Sequence, residues 1–136
     1  MQLFEVFPCR SCRRDFNAEI NHCTVSGDAD LLEQALINLI ENALRYSNGK
    51  SITLSVTQKG ANAVLTVKDD GIGIAPEHHD RLFERFYRVD KSRSRELGGT
   101  GLGLAIVKHI ALIHNGKAGI ISSPGKGAEF RITLPL

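Results

Sequence analysis

Between Leu31 and Tyr46 the apolar residues Leu31, Leu32, Ala35, Leu36, Leu39, Ile40, Ala43 and Leu44 recur at intervals of three and four. That is the period of an amphipathic helix, and Ser26 or Asp28 stands where its cap belongs. After the turn pair Asn48-Gly49 the period changes to two. Ile52, Leu54 and Val56 alternate with polar residues from Ser51 to Gln58, and Ala63, Leu65 and Val67 do so from Ala63 to Asp69, with Gly60-Ala61-Asn62 between the two runs. This predicts a β-hairpin ending at Asp69. Helical spacing resumes from Gly101 to Asn115 through Leu104, Ile106, Val107, Ile110, Ala111 and Ile113, with Gly116 in the C-terminal capping place. Lys117 to Ser122 and Ala128 to Leu134 then read as a closing hairpin around Pro124-Gly125-Lys126-Gly127. Helices alternating with antiparallel hairpins predict a sheet with helices packed on one face, an α+β sandwich.

The 136 residues, 42% hydrophobic and 24% charged, suit one globular domain, 1–136, with a real core. A net charge of +2 is too small to argue for nucleic acid, which needs a clustered basic face. There is no run of 18 apolar residues, and Met1-Gln2-Leu3-Phe4-Glu5 lacks the regions of a secretion signal, so the expectation is a cytoplasmic domain with no membrane contact of its own. Three cysteines, an odd number, suit a reducing compartment. Cys9 and Cys12 have the spacing of a metal or redox pair and His22-Cys23 could add ligands, but adjacent His and Cys chelate awkwardly, and reduced thiols are the expectation.

The chemistry concentrates at three places. Asn38 and Asn42 lie one turn apart on the first helix, with Arg45 three further on, so one helix face offers two amides and a cation. Asn is a poor residue mid-helix, and two in register point to a ligand. Asp69-Asp70-Gly71-Ile72-Gly73-Ile74 follows a strand, and Gly98-Gly99-Thr100-Gly101-Leu102-Gly103-Leu104 precedes a helix. Glycines so placed let backbone amides approach a ligand closely and aim at phosphate oxygens, so the ordered set predicts a nucleotide pocket. Between these runs, Arg88, Lys91, Arg93 and Arg95 with Asp90 and Glu96 leave only Val89 and Leu97 for burial, the composition of a mobile lid hinged by Gly98-Gly99. The familiar fingerprints fail. A P-loop ending in Gly49-Lys50-Ser51 would need Gly where Leu44 stands, and a dinucleotide fingerprint would need Gly or Ala where Pro76 and Ile106 stand.

The order of these motifs resembles the ATP-binding catalytic domain of bacterial sensor histidine kinases, in the superfamily shared with gyrase, mismatch-repair ATPases and heat-shock chaperones. Asn38-Leu39-Ile40-Glu41-Asn42-Ala43-Leu44-Arg45-Tyr46 looks like the family's N box, and Asp69 to Ile74 like its first glycine box. Leu82-Phe83-Glu84-Arg85-Phe86-Tyr87-Arg88 looks like its F box and Gly99 to Leu104 like its second glycine box. The resemblance covers about Gly27 to Leu136 and implies the Bergerat-type ATP-binding fold, a two-layer α/β sandwich whose mixed, mostly antiparallel sheet carries helices on one face.

It also implies roles. Asn42 would coordinate Mg2+ between the ATP phosphates, supported by Asn38, and Arg45 would meet a phosphate. Tyr46 would lie against the adenine and Asp69 would accept a hydrogen bond from its amino group, selecting ATP over GTP. Gly71 and Gly73 would leave room for the base, with Ile74 closing that box. Thr100, Gly101, Leu102 and Gly103 would set backbone amides at a helix start near the phosphates. Asn38, Asn42 and Arg45 would thus be the catalytic set. In hydrolytic branches of the superfamily the position of Asn38 is a Glu that activates water; an amide cannot accept that proton, so ATP would be held for a protein nucleophile. Ala128 departs from the usual Thr of the third glycine segment, at small expected cost.

The resemblance further implies transfer to a histidine on a dimerisation domain, and indirectly to a response regulator, in two-component signalling. None of His22, His78, His79, His109 and His114 has the sequence context of such an acceptor, and His78 and His79 read as solvated. The chain is therefore expected to be a catalytic domain without its dimerisation and sensor domains, whether or not the parent is anchored in the inner membrane. The alternatives are an anti-sigma-type serine kinase, disfavoured by Asn38, and a regulatory module that binds nucleotide without transfer.

Overall fold

A computed structural model describes residues 15–20, 24–46, 51–87 and 102–136. Strand β1 (Asp15–Ile20) is followed by helix α1 (Ala29–Tyr46), the hairpin β2 (Ser51–Lys59) and β3 (Asn62–Asp69), and a 3-10 turn at Pro76–His78. Helix α2 (Gly103–Ile113) and the hairpin β4 (Lys117–Ser122) and β5 (Ala128–Pro135) complete the order. The strands form one sheet in the order β1-β2-β3-β5-β4. β1, which the pattern reading did not place, runs parallel to β2 and every other pair is antiparallel, so the sheet is mixed and mostly antiparallel as the resemblance implied. A parallel pair needs a long crossover, which α1 supplies.

The cap of α1 is Asp28, whose Oδ1 accepts the N–H groups of Asp30 at 3.0 Å and Leu31 at 3.1 Å. From there the apolar stripe Leu32, Ala35, Leu36, Leu39, Ile40 and Ala43 turns onto the sheet and is buried. The sheet meets it with cross-strand rows: Leu54 opposite Val67 opposite Phe130 opposite Ile120, and Val56 opposite Leu65 opposite Ile132 opposite Ala118. Val107, Ile110 and Ala111 of α2 fill the rest of the core. At about 25 cal/mol per Å² of apolar area, these facing rows are what hold the two layers together.

Two details depart from the pattern reading. The left-handed residue that ends α2 is Asn115, at φ 61, and not Gly116. Asn115 donates to Leu112 O at 3.0 Å and Gly116 to Ala111 O at 2.8 Å, the two bonds of a Schellman motif displaced one residue from the glycine. Gly116 is needed for a different reason: a Cβ there would stand 2.1 Å from the Thr133 carbonyl oxygen. The second departure is β3, where Val64 and Thr66 are 7% exposed although they face away from the helices. As an inner strand β3 is sheltered by its neighbours, and the Thr66 hydroxyl is hydrogen-bonded to that of Ser55.

Candidate nucleotide site

Two of the predicted site residues meet: Asn38 on α1 and Gly103 at the start of α2. Asn38 and Asn42 are half-buried on α1. The Asn38 side-chain amide donates a long hydrogen bond, 3.5 Å, to the Gly103 carbonyl in the first turn of α2. The amide-bearing face of α1 is thereby set against the start of α2. That start has Leu102 at its cap position, and Leu102 offers no side-chain oxygen to the N–H groups of the first turn. The helix dipole favours an anion at such an end.

Asp69 ends β3 and is only 6% exposed. Its Oδ1 accepts the Gly71 N–H at 2.9 Å, an Asx-type turn that fixes the carboxylate and leaves Oδ2 to accept from another donor. The neighbouring Asp70 accepts the Ser51 N–H at 3.0 Å, tying the loop back to the start of β2.

The loop from Gly71 to Ala75 is moulded against the β4–β5 turn. Gly73 has φ 73, and a Cβ on it would stand 2.0 Å from the Ser123 carbonyl oxygen. Gly127 has φ 75, and a Cβ on it would stand 2.0 Å from the Asp69 carbonyl oxygen. The space that Gly73 leaves is thus occupied by the β4–β5 backbone. Gly125 N–H donates to Ile72 O at 2.7 Å, and Ile74 N–H donates to the Ser122 hydroxyl at 2.8 Å. That hydroxyl in turn donates to Gly127 O at 2.6 Å.

Beyond the loop, Leu82 is buried, and the Phe83 ring meets Phe130 edge to face at 6.4 Å between centroids. Phe86 is left 69% exposed in a left-handed conformation, φ 66. The reading of His78 and His79 as solvated is corrected here. Both are half-buried: His78 Nδ1 is hydrogen-bonded to the Tyr87 hydroxyl, and His79 Nε2 donates to Ile74 O at 3.0 Å. The Arg81 guanidinium lies 4.7 Å from the centroid of the Tyr87 ring.

The side chains of Arg45 and Tyr46, the residues Thr100 and Gly101, and the lid from Lys91 to Gly98 lie outside the described residues. So do Cys9, Cys12, His22 and Cys23; among the described residues no group of three His, Cys, Asp or Glu side chains is gathered as a metal would require. No described helix is long and apolar enough to cross a membrane. Residues that periodicity did not single out are Ser122 and His79. Their partners lie 48 and 5 positions away, and the hydroxyl bond exists only once two hairpins are packed.

Residues 27–136 match the model of the histidine kinase-, DNA gyrase B- and HSP90-like ATPases. The chain belongs to this family. Within it the similarity runs to sensor histidine kinases. The sensor-like histidine kinase SenX3 of Mycolicibacterium smegmatis is 52% identical over 112 residues, 82% of this chain and 29% of that protein. The sensor histidine kinase RppB of Synechocystis is 45% identical over 111 residues, 81% of this chain and 24% of that protein. The chain thus spans less than a third of these relatives. Among solved structures, the mycobacterial sensor histidine kinase MprB superposes with a TM-score of 0.79 at 30% identity, over 90% of this chain and 82% of that one. Full-length ShkA in complex with AMPPNP gives 0.78 at 30% identity, over 89% of this chain and 25% of that one.

Proposed function

We propose that this domain binds ATP with Mg2+ and supplies the terminal phosphoryl group to a histidine on a separate dimerisation domain, from which a response regulator would receive it. The observation that carries the reading is the contact between α1 and α2, which sets an amide-bearing helix face beside the first turn of α2. ShkA, similar over this same region, was solved with an ATP analogue.

The donor set fits the nucleotide and its ion. Asn42 offers a hard carbonyl oxygen, the ligand type that Mg2+ takes beside phosphates and waters, and Asn38 supports it one turn away. Asp69, held by Gly71, would accept from the adenine amino group, with Tyr46 against the ring and Gly71, Gly73 and Ile74 forming the wall behind it. Leu102 and Gly103 open the helix toward the phosphates, and Thr100, Gly101 and Arg45 would add to that set. Bound Mg2+ neutralises phosphate charge and orients the transferred group. The chain's own residues position and exclude: Asn38 cannot act as a base on water, so the attacking group must come from a partner.

Incubation of the chain with labelled ATP, Mg2+ and a cognate dimerisation domain should put acid-labile label on that domain's histidine. Asn42→Ala should reduce transfer by at least about 100-fold, the scale at which a lost phosphate-positioning group acts. Near-normal transfer by this variant would remove α1 from the site.

A further inference from the structure

We propose that Ser122 is a positioning residue for nucleotide, acting through the backbone of Ile74 to hold the loop after Asp69 in its binding shape. This rests on the reading of that loop as the adenine wall. The hydroxyl sits at the end of β4 and is used fully. It accepts the Ile74 N–H at 2.8 Å and donates to Gly127 O at 2.6 Å, so a single side chain joins the loop to the β4–β5 turn. A hydroxyl can do both at once, whereas a methyl group can do neither and a carboxylate could not donate.

The surrounding backbone leaves the loop one way to lie. Gly125 N–H holds Ile72 O at 2.7 Å, and the missing side chains of Gly73 and Gly127 let the two segments touch, with Ser123 O and Asp69 O filling the space. On the far side of Ile74 its carbonyl accepts from His79 Nε2 at 3.0 Å. Ile74 is therefore gripped at both its N–H and its C=O. The Gly127 carbonyl that takes the Ser122 proton belongs to the same residue whose Cα packs on Asp69. The Asp69 backbone and the loop after it are thus referenced to one turn, and Ser122 is the side chain in that reference.

The test is calorimetric titration of the chain with MgATP. Ser122→Ala should weaken binding about tenfold, the effect of one lost hydrogen bond that leaves a backbone donor unpaired, while Ser122→Thr, which keeps the hydroxyl, should stay within about twofold. Hydrogen exchange provides a readout independent of folding of the variants: in the wild-type chain the Ile74 amide should be protected like the amides of β4. Ser122→Ala binding with wild-type affinity while Asp69→Asn is impaired overturns this inference and spares the site reading. Ile74 exchanging at the rate of an open loop overturns it as well. A wild-type chain that fails to bind MgATP overturns the site reading and this inference together.

Discussion

The glycines of the three glycine segments differ in what surrounds the place of the missing side chain. At Gly73 and Gly127 an added Cβ would stand 2.0 Å from a backbone oxygen, and φ is 73 and 75, so both space and dihedral exclude a side chain. At Gly103 the nearest atom to an added Cβ is the Asn38 Cβ at 4.0 Å, an ordinary contact. Gly103→Ala should therefore leave the folded chain as stable as before or better by up to about 1 kcal/mol, because Ala is the stronger helix former. Gly73→Ala should cost more than about 2 kcal/mol through strain and overlap. If Gly103 is kept open for phosphate, its Ala variant will lose nucleotide affinity without losing stability. Urea melts paired with MgATP titration check this, and a Gly103→Ala chain that binds as well as the wild type removes Gly103 from the phosphate set.

At the scale of elements, the placing of α1 depends on a link that its own sequence does not reveal. His114, at the end of α2, accepts the Asp28 N–H on Nε2 at 3.0 Å. Its Nδ1 lies 2.7 Å from the Ile110 carbonyl and must therefore donate to it, which fixes the neutral Nδ1–H tautomer. The same Asp28 caps α1 with its side chain. Gly27 allows the approach, since a Cβ there would fall 2.3 Å from the His114 Cδ2. Asp28→Ala should destabilise by about 1 kcal/mol through the lost cap. His114→Ala should destabilise by about 1–2 kcal/mol through the unpaired amide. Because both act on the same turn, the double variant should lose less than the sum of the two; additive losses in a denaturant cycle would mean the histidine does not hold the cap. Apolar period alone placed α1, both hairpins and α2, since a helix stripe and strand alternation are local consequences of which face is buried. What the reading did not place were strand β1 and contacts between distant segments. His114 with Asp28, Ser122 with Ile74 and the left-handed Asn115 each depend on packing between parts of the chain that no local period links. Asn38 and Gly103 entered the site proposal because amides on an apolar helix and glycines at the start of a helix run against local propensity, and such conflicts are where a site is expected.

On the proposed reading the chain supplies binding groups and takes the reacting group from a partner. Helices α1 and α2 pack against the sheet, the Asn38 amide meets the first turn of α2, and Asp69 ends β3. On the proposed reading Asn38 would stand where hydrolysis needs a base, and its amide donates to Gly103 O. The histidines of the described region are committed elsewhere or outside this cluster: His79 to Ile74, His78 to Tyr87 and His114 to Asp28 and Ile110, with His109 on the exposed side of α2. The lone chain should therefore bind MgATP yet hydrolyse it slowly and take up no stable label of its own. Binding alone supplies position and charge stabilisation, and without a nucleophile in line those terms have no barrier to lower. Release of labelled phosphate from ATP by the chain by itself, compared with the same chain plus a dimerisation domain, checks this. Turnover by the lone chain as fast as transfer to the added domain would mean that water is activated here by a residue other than Asn38.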